Sequence, residues 1–159
     1  MPALLPFLGS MFSKVMNFSY MLSMLTSLKY QAQEVLNSVS GTNKMAKKLE
    51  KYSNDEELST LAAKKEETMQ CIGRVQNIIK ELNAYINRVN ELQAIYNTTG
   101  NTAQIMEEMK VLQENIKKKK EELFTERAKA LQLAKEYNAF LETLQSKYKY
   151  PGGKANARR

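Results

Sequence analysis

The sequence predicts an all-α protein: a long antiparallel helical hairpin of coiled-coil type, joined to a hydrophobic N-terminal helix that can complete a three-helix bundle. Three observations carry this. Strong helix formers dominate the 159 residues while Gly (6) and Pro (3) are scarce. Two long stretches repeat apolar residues at alternating spacings of three and four. Between them lies one polar, glycine-containing turn.

The clearest stretch is Ile72, Val75, Ile79, Leu82, Ile86, Val89, Gln93 and Tyr96. Its alternating steps keep one stripe on the same side of a helix, which is the seam of a coiled coil. The helix carrying it is expected to start near Ser53-Asn54-Asp55-Glu56. There the Ser53 hydroxyl can accept from first-turn amides while Glu56 reaches back, and the acids suit the positive helix end. Upstream of the Ile run, the seam passes Leu58 and Leu61 and a polar layer at Lys65 and Thr68.

Asn97-Thr98-Thr99-Gly100-Asn101-Thr102 is the strongest turn signal, because Gly and Asn tolerate left-handed conformations and Thr can cap the next helix. A second seam then runs through Ile105, Met109, Leu112, Ile116, Lys119, Leu123, Glu126, Ala130, Leu133, Tyr137, Phe140 and Leu144, with polar interruptions at Lys119 and Glu126. If 97–102 reverses the chain, facing residue numbers add to about 200, which sets Tyr52 near Tyr148. Residues 53–149 thus form the predicted hairpin.

Residues 1–41 form the predicted N-terminal helix, and its first 28 residues are the most apolar part of the chain. Leu4, Leu8, Met11, Val15, Phe18, Leu22 and Leu25 make one stripe, Phe12, Met21, Met24 and Leu28 add to the apolar content, and Lys14 is the only charge before Lys29. The longest uncharged run, Val15–Leu28, is short of the ~20 residues a membrane span needs. The wide apolar face fits a bundle helix or an interfacial helix on a membrane, and a membrane span is the third alternative for residues 1–28. Ser40-Gly41-Thr42 marks an expected break, followed by a basic connector over 42–52 that carries Lys44, Lys47, Lys48 and Lys51 and can continue either neighbouring helix. Tyr150-Pro151-Gly152-Gly153 ends the helical pattern, so 150–159 is expected to be a disordered basic tail.

The net charge of +7 is unevenly placed. Residues 1–52 and 147–159 are both basic, whereas 53–146 is slightly acidic. There is no histidine and one cysteine, Cys71, so the commonest general base, any internal disulfide and zinc-type spacings are missing. No phosphate loop, nucleophile elbow or metal signature appears. Lys117–Lys120 is a solvated helix surface with Glu114, Glu121 and Glu122 in pairing reach. Asn17-Phe18-Ser19 and Asn97-Thr98-Thr99 match a glycosylation pattern that short polar stretches meet by chance.

The functional expectation is a non-enzymatic structural or assembly protein needing no cofactor or metal. Ile72, Val75, Ile79, Leu82, Ile86, Val89, Ile105, Met109, Leu112, Ile116, Leu133 and Phe140 are the expected oligomer or partner seam. Leu8, Met11, Phe12, Val15, Phe18, Leu22 and Leu25, together with Lys147, Lys149, Lys154, Arg158 and Arg159, are the expected pole that docks on a membrane or partner. A hydrophobic helix beside a polybasic tail is the two-signal arrangement that holds a protein on anionic lipid. The expected setting is a membrane surface or a larger assembly, such as a secretion, viral or tethering complex. The alternative is a nucleic-acid packaging or accessory protein that uses the tail, with binding that falls steeply with salt.

Overall fold

A computed structural model describes the backbone of residues 4–100 and 102–149, and the side chains from 18 to 100 and from 102 to 149. Three helices of nearly equal length make up the described chain: α1 (Leu4–Leu49), α2 (Asp55–Thr99) and α3 (Thr102–Tyr148), with a 3₁₀ turn at Glu50–Tyr52. No strand occurs among the described residues. The chain divides into two compact units, one of Met1–Gln31 with Ile78–Leu123, the other of Ala32–Asn77 with Phe124–Arg159.

The turn between α2 and α3 falls where the sequence places it. Gly100 adopts φ +64, and its N–H donates to the Tyr96 carbonyl at 3.0 Å, closing the helix end with a left-handed cap. A Cβ at Gly100 would meet nothing within 4 Å, so glycine is favoured there by backbone conformation alone.

In the first unit the buried residues are Phe18, Met21, Leu25 and Leu28 of α1, Ile78, Leu82, Val89 and Leu92 of α2, and Ile105, Met109, Leu112, Ile116 and Leu123 of α3. Phe18 meets Tyr96 with ring centroids 6.0 Å apart. In the second unit Ala46, Leu49, Leu61, Tyr137, Leu141 and Leu144 form one cluster, with Met45, Phe140 and Tyr148 against it. Tyr137 is fully buried, and its hydroxyl bonds to Asn43 Oδ1 at 3.3 Å. Burial raises the Tyr137 phenol above its ordinary range, with Glu50 adding to the effect.

The α2 seam is displaced from the expected one. Val75, Leu82 and Val89 are buried, but Ile72, Ile79 and Ile86 are half-buried while Cys71 and Ile78 take the interior positions. A helix facing two neighbours buries a broader stripe than a two-helix seam, and its centre moves towards the side both partners share. On α3, Leu141 is buried where Phe140 was expected, and Phe140 packs half-buried beside it.

The expected break at Gly41 is absent. α1 continues to Leu49 because its buried series Val35, Val39, Thr42, Ala46 and Leu49 keeps the three-four spacing across the glycine. The Thr42 hydroxyl satisfies itself on the Val39 carbonyl at 2.7 Å, and Gly41 faces solvent. The chain breaks instead at Ser53, which is extended (φ −87, ψ 146). The capping box also lies one residue later than expected. Glu57 N–H donates to Asn54 Oδ1 at 2.8 Å and Asn54 N–H donates to Glu57 Oε1 at 2.9 Å, while the Ser53 hydroxyl donates to the Leu49 carbonyl at 2.8 Å.

These positions set two stability outcomes. Ile78→Ala and Leu82→Ala should each cost about 2–5 kcal/mol, with Ile79→Ala cheaper than Ile78→Ala. Denaturant melts of the three variants check the displaced seam, and equal costs at 78 and 79 contradict it. Gly100→Ala should cost about 1–2 kcal/mol, all of it from the left-handed backbone, with no change in helix content by circular dichroism.

Candidate docking site

Five ion pairs link α2 to α3: Arg88 with Glu108, Glu81 with Lys119, Arg74 with Glu126, Lys64 with Glu136, and Glu57 with Lys147. The first two belong to the first unit and the other three to the second. In each case the residue numbers add to about 200, as an antiparallel pair closed at Gly100 requires. The two polar interruptions of the α3 seam are two of these partners. Lys119 is pulled between Glu81 and Glu122, and Glu126 is buried with Oε1 on Arg74 Nε at 2.9 Å. Arg88 holds Glu108 with two nitrogens and also reaches Glu91, which keeps the Glu108 carboxyl below its ordinary range.

Glu57 is the most heavily used acid. It closes the α2 cap with Asn54, and it accepts from Lys147 at 2.9 Å and from the Tyr148 hydroxyl. Lys147, then Tyr148 and the Asn54 amide, lower its pKa from 4.5 to about 2. Tyr148 stacks on Tyr52 with centroids 6.4 Å apart, and Lys147 Nζ lies 5.2 Å from the Tyr148 ring centre. The start of α2 and the end of α3 are thereby tied together, and Lys149, at φ 49, ends α3.

The expected seam residues lie inside the chain's own packing. Val75, Leu82, Val89, Ile105, Met109, Leu112, Ile116 and Leu133 are buried, and Ile72, Ile79, Ile86 and Phe140 are half-buried at its margins. The stripe is thus covered by the chain's own helices, the within-chain alternative for the seam's pairing.

Of the expected pole, Phe18 and Leu25 are buried and Leu22 half-buried in the first unit, and Lys147 and Lys149 are exposed in the second. Within the first unit Phe18 meets Tyr96, near the α2 end that Gly100 closes. The side chains of Leu8, Met11, Phe12 and Val15, and all of Lys154, Arg158 and Arg159, lie outside the described residues.

The Phe18–Tyr96 pairing sets the α1–α2 register, with facing numbers adding to about 114. Thr99, the last residue of α2, then falls opposite roughly residue 15 of α1. The α1 backbone from Leu4 to about Lys14 therefore runs past the end of α2, and α3 begins only at Thr102. Sequence reasoning singled out this segment for its composition, but the absence of a facing helix emerges only from the register.

Among the described residues no helix is long and apolar enough to cross a membrane, and no group of three or more His, Cys, Asp or Glu could hold a metal ion. Cys71 is a buried thiol whose pKa is raised by burial. Phe124 and Leu131, one heptad apart on α3, are exposed, an apolar strip of a size common on soluble surfaces. No family model, no curated protein and no solved structure matches the chain.

The Glu57 contacts generate a pH outcome. Its folded-state pKa lies below 4.5, so the contribution is complete above about pH 4.5 and is lost as pH falls towards about 2. Glu57→Gln should flatten the fall of melting temperature over that window relative to the parent chain. Equal acid-side slopes in the two proteins would show that these contacts carry no linked stability.

Proposed function

We propose that this chain is a non-enzymatic assembly protein that docks through the N-terminal segment of α1 onto an apolar surface, either the interface of a lipid layer or a complementary helix of a partner. The observation that carries the proposal is the register: α1 runs past α2 in its most apolar sequence, Leu4-Leu5-Pro6-Phe7-Leu8-Gly9-Ser10-Met11-Phe12. At 1.5 Å per residue the overhang measures roughly 16 Å, too short to cross a bilayer core of ~30 Å but long enough to lie in its surface. Pro6 suits this position, because the first turn of a helix needs no amide donor there.

The proposal places the attachment on the N-terminal segment and does not require the basic C-terminal residues. It also separates the attaching segment from the core segment, since Phe18, Met21, Leu25 and Leu28 are buried. A test must therefore cut before Phe18. A chain lacking residues 2–14 should keep its helix content and melting temperature. The full chain should pellet with phosphatidylcholine vesicles or sediment as a larger species, and the shortened chain should do neither. The same association in both chains, or none in the full chain, overturns the proposal.

A further inference from the structure

The second unit carries a charge distribution that neither the fold nor the proposed attachment uses. From 18 to 43, α1 has only Lys29 and Glu34 as charged residues, and its solvent side is a neutral run of Ser, Thr, Asn, Gln and Tyr. Then Lys44, Lys47, Lys48 and Lys51 come within two turns, all exposed. At about 100° per residue they fall within an arc of roughly 100°, opposite the buried stripe of Thr42, Ala46 and Leu49.

Four like charges on one narrow face repel one another. Lys64, Lys119 and Lys147 are each held by an acid of the facing helix. Lys44, Lys47, Lys48 and Lys51 make no ion pair among the described residues. Glu50 lies about 60° outside the arc, and Glu57 is committed to Lys147 and Tyr148. The negative end of the α1 dipole accounts for Lys47 and Lys48 in the last turn but gives no reason for four.

The surface here is also concave. A cavity of about 470 Å³ is lined, among the described residues, by Lys44, Lys47, Lys48, Lys51 and Tyr52. Tyr52 is 45% exposed and stacks on Tyr148, one residue before Lys149 and the basic sequence that ends in Arg158 and Arg159. The four ammonium groups thus line one concavity in this unit, and no carboxylate is among its described lining residues.

We infer that Lys44, Lys47, Lys48 and Lys51 form a binding site for a ligand bearing clustered phosphate groups. Ammonium groups act as point charges for phosphate oxygens and need no planar bidentate geometry, so a lysine-only cradle suits several phosphates close together more than a single carboxylate. A free polyphosphorylated molecule and a multiply phosphorylated lipid headgroup share this chemistry. The concavity distinguishes both from a flat surface of singly charged lipids.

The test uses the full chain, inorganic tripolyphosphate by calorimetry, and phosphatidylcholine vesicles with and without phosphatidylinositol bisphosphate by co-sedimentation. The variant Lys44→Gln/Lys47→Gln/Lys48→Gln/Lys51→Gln alters only exposed side chains, and its circular dichroism should match the parent. A control of equal charge, Lys110→Gln/Lys117→Gln/Lys118→Gln/Lys120→Gln, lies on α3 in the other unit. Tripolyphosphate should bind the parent and the control alike, and about tenfold or more weaker to the site variant, with affinity falling as salt rises. Bisphosphate-dependent vesicle binding with the same variant pattern, and no tripolyphosphate binding, supports the site with a headgroup as its source. No phosphate binding in either arm, or equal losses in the site variant and the control, overturns it.

Discussion

The register between α2 and α3 is the constraint from which the other placements descend. A left-handed Gly100 reverses the chain, and from there every α2–α3 ion pair joins residues whose numbers add to about 200. Sliding α3 by one heptad would keep apolar residues roughly aligned, but it would separate Arg74 from the buried Glu126 carboxylate and Arg88 from its two-nitrogen grip on Glu108. Glu126 would then keep only Lys129, 3.9 Å away on its own helix, and lose its one hydrogen-bonded cation, a costly loss for a buried carboxylate. The apolar stripes supply the attraction, and the charges choose which alignment it stabilises. This selectivity explains polar residues that weaken a seam when viewed as packing alone.

Much of this was legible from spacing. The turn, the α3 stripe and the approach of Tyr52 to Tyr148 all derive from heptad steps and one glycine, because periodicity reports which residues share a helix face. Periodicity cannot report how many neighbours that face has. Ile72, Ile79 and Ile86 look central to a two-helix seam, yet α1 also covers α2, so Ile78 and Cys71 move inward and the Ile series moves to the margin. An isoleucine and its neighbour differ by 100° of rotation, and only the direction of the third helix decides between them.

The remaining misjudgements came from local signals weighed without their surroundings. Gly41 resembles a helix end, but the buried series on both sides of it is unbroken, and burying Val39, Thr42 and Ala46 outweighs the roughly 1 kcal/mol that a mid-helix glycine costs. Ser53-x-x-Glu56 and Asn54-x-x-Glu57 are both capping patterns. The second prevails because Ser53 is needed to close α1 on the Leu49 carbonyl, and because Glu57, unlike Glu56, faces Lys147 and Tyr148. Each of these expectations lay one residue off, except at Gly41, where the helix runs on to Leu49.

A bundle helix needs an apolar residue only about twice in seven positions, which is what α1 supplies from Phe18 onward: Phe18, Met21, Leu25, Leu28, Ala32, Val35 and Val39. Before Phe18 the same chain places Leu4, Leu5, Phe7, Leu8, Met11, Phe12, Val15 and Met16 within thirteen residues. The apolar richness does not stop there, since Phe18, Met21, Leu22, Met24, Leu25 and Leu28 follow within eleven residues. What changes near residue 15 is the register, which leaves the helix without a facing α2 residue. An apolar stretch that packs against α2 from Phe18 onward therefore continues along α1 past the end of α2. That continuation, and not a change of composition, is the ground of the proposed attachment.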